Sequence, residues 1–262
     1  MVAARRSCSM VAARTSLRPV PTSGFLPIYK APGTLSADVC ARVKRTLRRH
    51  GDYPSKLKVG HGGTLDYFAE GLLVLGIGPA TKRLTSVLHG PKRYRCIATL
   101  GTSTDTLDPH GKVVETMPFE HVTKDAVQDA LTRLTGTVWQ VPPQYSALKI
   151  GGVRCSDRVR KGEAVDLPAR QVEVHRLELV QFRLPDIHFD IRCGPGFYVR
   201  SFVRDLGAAV GSCAFTSHLC RMECGPFALP DPTVLNSNDV ELQAILDSIR
   251  PLPGDAPCDT PW

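Results

Sequence analysis

From Gly71 to Gly78 the chain reads Gly-Leu-Leu-Val-Leu-Gly-Ile-Gly, eight residues without one polar side chain. A short apolar run bounded by glycines is predicted to be a buried strand, because it has no polar face to offer water. Just before it lies Lys58-Val59-Gly60-His61-Gly62-Gly63-Thr64-Leu65-Asp66, with three glycines, one histidine and one carboxylate. Such a loop lets backbone approach a ligand without Cβ obstruction, and functional side chains tend to sit on loops backed by a rigid scaffold. It also fits a tight turn in which Asp66 caps a backbone N–H. On spacing alone the turn is the better reading.

The 262 residues, 42% of them hydrophobic, suffice for one large domain or two closely joined halves. No apolar run approaches the about 20 residues that span a bilayer, so a soluble chain with no membrane partner is expected. The net charge is +8 and the excess is clustered. One group is Arg42, Lys44, Arg45, Arg48, Arg49, Lys56 and Lys58. A second is Lys82, Arg83, Lys92, Arg93 and Arg95, and a third is Lys149, Arg154, Arg158, Arg160 and Lys161. Each could be a solvated face. Together with the net charge they favour a nucleic-acid partner bound through its phosphates.

Nine cysteines without a C-x-x-C pair argue against a secreted disulfide framework and a zinc knuckle. Cys213, His218, Cys220 and Cys224 crowd together, but their spacing matches no zinc pattern, so they read as ordinary thiols in a reducing compartment. Residues 1–19 hold four arginines and no acid, which fits a mitochondrial transit segment or a disordered basic tail. The expected location is the nucleus or cytoplasm, with the mitochondrion as the alternative.

Periodicity predicts a strand over Phe25–Lys30 and a helix capped by Ser36, with Val39, Val43 and Leu47 inward and Gly51 closing it. A short helix is predicted over Thr81–Leu88. Arg93–Leu100 alternates as a strand, with Tyr94, Cys96, Ala98 and Leu100 on one side. Thr123 should cap a helix with Val127, Leu131 and Leu134 inward. The prolines make Val141–Tyr145 an extended loop, and a hairpin turns at Gly151-Gly152. Gln171–Leu184 and Ile187–Cys193 read as strands, Phe197–Val210 as a helix and Ser217–Cys224 as a strand. Asn238 or Asp239 caps a last helix with Leu242, Ile245, Leu246 and Ile249 inward. Strands and helices are mixed without regular βαβ alternation. The fold class is therefore α+β, a mixed and largely antiparallel central sheet with flanking helices.

Asp66 could serve as nucleophile, general base or cap. Arg200, just after Gly194-Pro195-Gly196-Phe197-Tyr198, could orient a carboxylate or make a surface ion pair. Tyr94, among Lys92, Arg93 and Arg95, suits stacking on an unstacked base or a place in the core. Gly76–Lys82 lacks the spacing of a phosphate loop.

Gly60-His61-Gly62-Gly63-Thr64-Leu65-Asp66 resembles the catalytic-aspartate motif of TruB-type tRNA pseudouridine synthases, especially the eukaryotic branch. Four further blocks agree in order. They are Tyr29-Lys30-Ala31-Pro32-Gly33; Lys92-Arg93-Tyr94 with Gly101-x-x-Thr104-Asp105-Thr106-x-Asp108-x-x-Gly111; Val141 to Lys149; and Gly196-Phe197-Tyr198-Val199-Arg200-Ser201. The likeness runs from about Gly24 to Pro226.

The resemblance implies a pseudouridine-synthase fold with its active site in a central basic cleft. It implies isomerisation of uridine to pseudouridine, at uridine 55 in the tRNA T loop and at T-loop-like sites in mRNA. No cofactor and no metal are implied, and the protein is expected to be a monomer. Asp66 matches the catalytic aspartate, Tyr94 the tyrosine stacked on the target base, and Arg200 the partner of the aspartate. Tyr198 shares the Arg200 motif, and His61 matches a histidine near the flipped nucleotide. Lys30 matches a support of the active-site loop, and Leu219 an apolar residue of the pocket. After Asp66 many members have Pro-Leu-Ala-x-Gly where this chain has Tyr67-Phe68-Ala69-Glu70-Gly71. That departure keeps a second reading open, an RNA-binding or tRNA-folding protein of the same fold without catalysis. A metal-dependent nuclease or deaminase lacks a ligand set in the sequence. The expected organisation is a tail over 1–22, a catalytic domain over 23–229 and a short extension with one helix over 230–262, without the PUA domain common in bacterial members.

Overall fold

Why the run Leu72–Ile77 can be wholly apolar is plain once its neighbours are placed. The structure, a computed structural model, describes residues 22–50, 53–231, 234–238 and 240–250. In chain order, β1 (Gly24–Lys30) leads to α1 (Ser36–His50), then β2 (Val59–His61) and β3 (Glu70–Ile77). A 3-10 turn over Gly78–Arg83 precedes α2 (Leu84–His89), β4 (Lys92–Leu100), β5 (Thr102–Thr104) and β6 (Val113–Thr116). Next come α3 (Lys124–Arg133), β7 (Gly136–Gln140), β8 (Lys149–Ile150), β9 (Val153–Arg154) and α4 (Cys155–Arg160). The chain continues through β10 (Arg170–Arg183), β11 (Asp186–Cys193), α5 (Val199–Ala209), β12 (Ala214–Cys224), β13 (Phe227–Ala228), β14 (Leu235–Asn236) and α6 (Leu242–Ser248).

One sheet runs in the order β14-β1-β3-β12-β4-β11-β10-β7, with β2 paired to β3 and β13 to β12. β14/β1 and β12/β3 are parallel and the other pairings antiparallel, so the expected mixed, largely antiparallel sheet is what forms. On one face of β1 and β3, Leu73, Leu75 and Ile77 pack against Val39, Val43 and Leu47 of α1 and Ile245 of α6. On the other face Leu72 and Val74 meet Phe25, Ala80, Val87 and Phe227. A strand covered on both faces has no polar side, hence the unbroken run. The remaining sheet carries the largest core on one face, where Cys96, Ala98, Ile187, Phe189 and Ile191 meet Val127 and Leu131 of α3 and Phe202, Val203 and Leu206 of α5.

The predicted helices form, with two changes at their starts. Ser36 begins α1, but its hydroxyl is hydrogen-bonded to Leu65 rather than devoted to its own helix. The last helix starts after Glu241 without a side-chain cap, so Asn238 does not cap it; Gly51 and Asp239 lie outside the described residues. Thr123 does cap α3, accepting from Ala126 N.

The second basic group is only partly available: Lys82 and Arg83 are exposed, but Lys92 and Arg93 are held within the sheet. Lys92 is buried and donates to the carbonyls of Val87, Leu88 and Gly90. Arg93 pairs with Asp190 and Glu223, and Arg95 with Asp190. Register places Asp190 opposite Arg95 and Glu223 opposite Arg93, so Arg93 is paired within the sheet, whereas the Arg95 side chain stays 60% exposed. Among the described residues no group of three or more His, Cys, Asp or Glu could hold a metal, and no helix is long and apolar enough to cross a membrane.

Candidate active site

β3 and β12 touch through only two register pairs, Cys220↔Glu70 and Arg221↔Gly71. The approach is close: a Cβ on Gly71, whose φ is +104°, would lie 2.4 Å from the Arg221 carbonyl oxygen. The loop carrying Asp66 enters at this seam. Backbone contacts on both sides of Asp66 immobilise it. Leu65 donates its N–H to Ser36 Oγ at 3.0 Å and accepts from that hydroxyl at 2.9 Å. Tyr67 O accepts from Gly33 N at 2.8 Å and from Lys30 Nζ at 3.5 Å.

Arg200 comes from the first turn of α5, 134 residues along the chain. Its entry is fixed by Gln140, which accepts from Tyr198 N at 2.8 Å and donates to Tyr198 O at 3.1 Å. The guanidinium, 3% exposed, binds Asp66 in two places: Nε to Oδ2 at 2.8 Å and Nη2 to Oδ1 at 3.1 Å. Nη1 donates to Thr106 O at 2.8 Å and Nη2 to Tyr145 O at 2.9 Å. A buried guanidinium needs its donors satisfied and its charge matched, and this one has both. The Asp66 side chain keeps 32% exposure, so a carboxylate held in one orientation still meets whatever enters.

What enters finds a cavity of about 440 Å³ lined by His61, Gly63, Asp66, Tyr94, Tyr198, Arg200, Leu219 and Arg221, among others. Six of the seven residues singled out from sequence therefore share one cavity. Burial raises the Tyr94 hydroxyl well above the ordinary tyrosine range, opposed by the Arg221 guanidinium, so it is a neutral phenol at pH 7. Burial, Arg221 and Arg154 push the His61 imidazole down, and its Nδ1 is sealed from solvent without a hydrogen-bond partner. Burial also raises Tyr198, whose ring carries the Arg170 guanidinium 5.2 Å from its centroid.

Lys30, the seventh, does not line the cavity. It is fully buried, with its amine on the carbonyls of Ala31, Thr34 and Tyr67. Burial lowers it from the lysine range to about 8, against the attraction of Asp66. An unfolded lysine titrates near about 10.4. Between those values the unfolded chain holds a proton the folded chain has released, so the Lys30 contribution to stability rises with pH. The unfolding free energy of the wild type minus that of Lys30→Met is expected to increase from pH about 7.5 to about 10 in urea titrations. A flat difference would show that the amine is not perturbed.

Arg221 was not foreseen as a site residue. It is 2% exposed, donates to Leu72 O at 2.7 Å, Gly63 O at 3.2 Å and Thr64 O at 3.4 Å, and lies opposite Tyr94 in the sheet register. The signal available was alternation, since Leu219 and Arg221 are two apart on one strand and share a face. The loop glycines divide their work. Gly63 lines the cavity, whereas a Cβ on Gly62 would sit 3.0 Å from Val87 of α2.

A family model described as TruB family pseudouridylate synthase (N terminal domain) matches residues 48–199. The mouse protein Pseudouridylate synthase TRUB1 is 46% identical over 217 residues, 79% of this chain and 64% of that protein. tRNA pseudouridine synthase B of Treponema pallidum (strain Nichols) is 42% identical over 229 residues, 78% of this chain and 60% of that protein. The chain thus spans about three fifths of the length of these relatives. In a crystal structure of a Cbf5–Nop10–Gar1 complex, one chain aligns with a TM-score of 0.65 at 25% identity, covering 88% of this chain and 60% of that one. The matched span includes Asp66, Tyr94 and Tyr198 and exceeds half of the sequence, and the chain belongs to the TruB family of pseudouridylate synthases.

Proposed function

We propose that this chain isomerises uridine to pseudouridine in tRNA, at uridine 55 of the T loop, and at T-loop-like sites in mRNA. It acts as a monomer without a cofactor, in the nucleus or cytoplasm, with a mitochondrial pool if residues 1–19 serve as a transit segment. The observation that carries the reading is the Asp66 carboxylate, partly open to the cavity and fixed by Nε and Nη2 of Arg200.

In the reaction the C1′–N1 bond breaks, the uracil turns and C1′ bonds to C5; C5 gives up its proton to solvent and N1 takes one up, so the isomerisation balances with no oxidant and no net consumption of water. A carboxylate beside the sugar stabilises positive character at C1′ as the first bond breaks, as in glycosidases. Asp66 takes that part, and Arg200 holds it aimed. Tyr94 stacks on the extruded base, returning about 1–3 kcal/mol of the few kcal/mol that extrusion costs. Leu219 and Phe197 wall the cavity against water.

Purified protein incubated with an unmodified tRNA transcript should place pseudouridine at the T-loop uridine and nowhere else when sites are mapped chemically. Tight T-arm binding without product would instead establish the RNA-folding reading.

The phosphate contacts are assigned first to α1. Lys44, Arg45, Arg48 and Arg49 line a concavity of about 460 Å³, and no ion pair among the described residues involves them. Each phosphate neutralised contributes about 0.9 to the slope of log K against log salt. Replacing Arg45, Arg48 and Arg49 by Ala is expected to flatten that slope by about 2–3 and leave the rate at saturating RNA unchanged.

A further inference from the structure

Tyr67 is the residue that the family resemblance leaves unexplained. It follows Asp66 directly, and a tyrosine stands there where many relatives carry proline. Phe68 turns inward against the main core, while Tyr67 remains 47% exposed. Its backbone is fixed by Gly33 N and Lys30 Nζ on its carbonyl, so the ring projects from a rigid base. One side of the ring is taken by His110, with centroids 5.2 Å apart at 60°.

His110 is equally constrained. Asp108 Oδ1 accepts from His110 N at 2.9 Å and from Thr106 Oγ1 at 2.7 Å. Thr104 Oγ1 donates to Asp108 O at 2.8 Å and accepts from Asp108 N at 3.0 Å. Thr106 O is held by Arg200, the residue that holds Asp66. The two rings are thus tethered to the two ends of the Asp66–Arg200 pair, and their separation from the carboxylate is set by the same framework. Neither ring lines the cavity. Both are exposed, and Tyr67 follows directly on Asp66, which does line it.

A target nucleotide whose sugar lies at Asp66 has neighbours on both sides that stay outside the cavity. An exposed, pre-ordered aromatic beside that point offers one of them a stacking surface without loss of ring entropy. We infer that Tyr67, braced by His110, is a stacking platform for a nucleobase flanking the target uridine, which makes it a determinant of RNA loop specificity. The inference rests on the reading of the site as an RNA-modifying one.

The test is a binding cycle with T-arm hairpins carrying either the normal base or an abasic residue at each position flanking the target. Wild type, Tyr67→Ala and Tyr67→Phe are compared by Kd, with thermal melting to check the fold. Tyr67→Ala should weaken binding of the normal hairpin about tenfold, or about 1.4 kcal/mol. Tyr67→Phe should restore it, and one abasic position should remove the difference between wild type and Tyr67→Ala. Equal affinities, or a loss that is the same on normal and abasic RNA at both flanks, would overturn the platform. Tritium released from 5-tritiated uridine in the same hairpins separates the two readings. Release without coupling sinks the platform alone, and coupling without release sinks the isomerase reading alone.

Discussion

Asp66→Asn is expected to lower the single-turnover rate of uridine isomerisation by more than about four orders of magnitude, the scale seen when a group acting on the reacting bond is removed. The amide keeps one oxygen for Arg200 but loses the charge that stabilises the sugar cation. Because the change leaves the buried Arg200 guanidinium without its carboxylate, stability should fall by about 1–3 kcal/mol, and RNA affinity should hold. A rate within about tenfold of wild type would remove Asp66 from the chemistry. Loss of rate together with a collapsed melting transition would make its role structural.

Arg200→Met should be the most damaging substitution to the fold. It strips two donors from the Asp66 carboxylate and one each from Thr106 O and Tyr145 O. Removing one partner of a buried pair costs about 3–5 kcal/mol. The partial exposure of Asp66 places this case at the lower end, a drop in melting temperature of about 6–12 °C. Arg200→Lys restores charge but not the fork that reaches four oxygens, so it should regain part of the stability and little activity. Combining Arg200→Met with Asp66→Asn should cost far less than the sum in stability, because the two changes remove one shared contact. Strict additivity would mean that the pair does not act as a unit.

Legibility from sequence followed the range of the interactions. Leu72–Ile77 announced a buried strand because composition alone records burial on both faces. α1, α3 and α5 announced themselves through spacing, since Val39, Val43 and Leu47, or Val127 and Leu131, face one core. α4 and the two- or three-residue strands β2, β13 and β14 gave no such sign. They are held by neighbours rather than by local pattern, and β14 exists only because β1 offers a parallel edge. The site was harder. Nothing in the spacing near Asp66 distinguishes a catalytic carboxylate from a capping one, and its partner lies 134 residues away. The motif blocks made the link, and the geometry adds what they did not carry: Thr106 O and Tyr145 O as anchors of Arg200, and Arg221 across from Tyr94. Arg93 was misjudged because its partners, Asp190 and Glu223, become neighbours only through strand register, and Lys92 because its amine turns back onto the carbonyls of Val87, Leu88 and Gly90.

The most direct test of the central claim is tritium release from T-arm RNA carrying 5-tritiated uridine, run side by side with the wild-type protein and Asp66→Asn. The account predicts one tritium released per target uridine by the wild type and none by the variant, with both proteins folded and bound to the RNA. Equal release by the two proteins would contradict it.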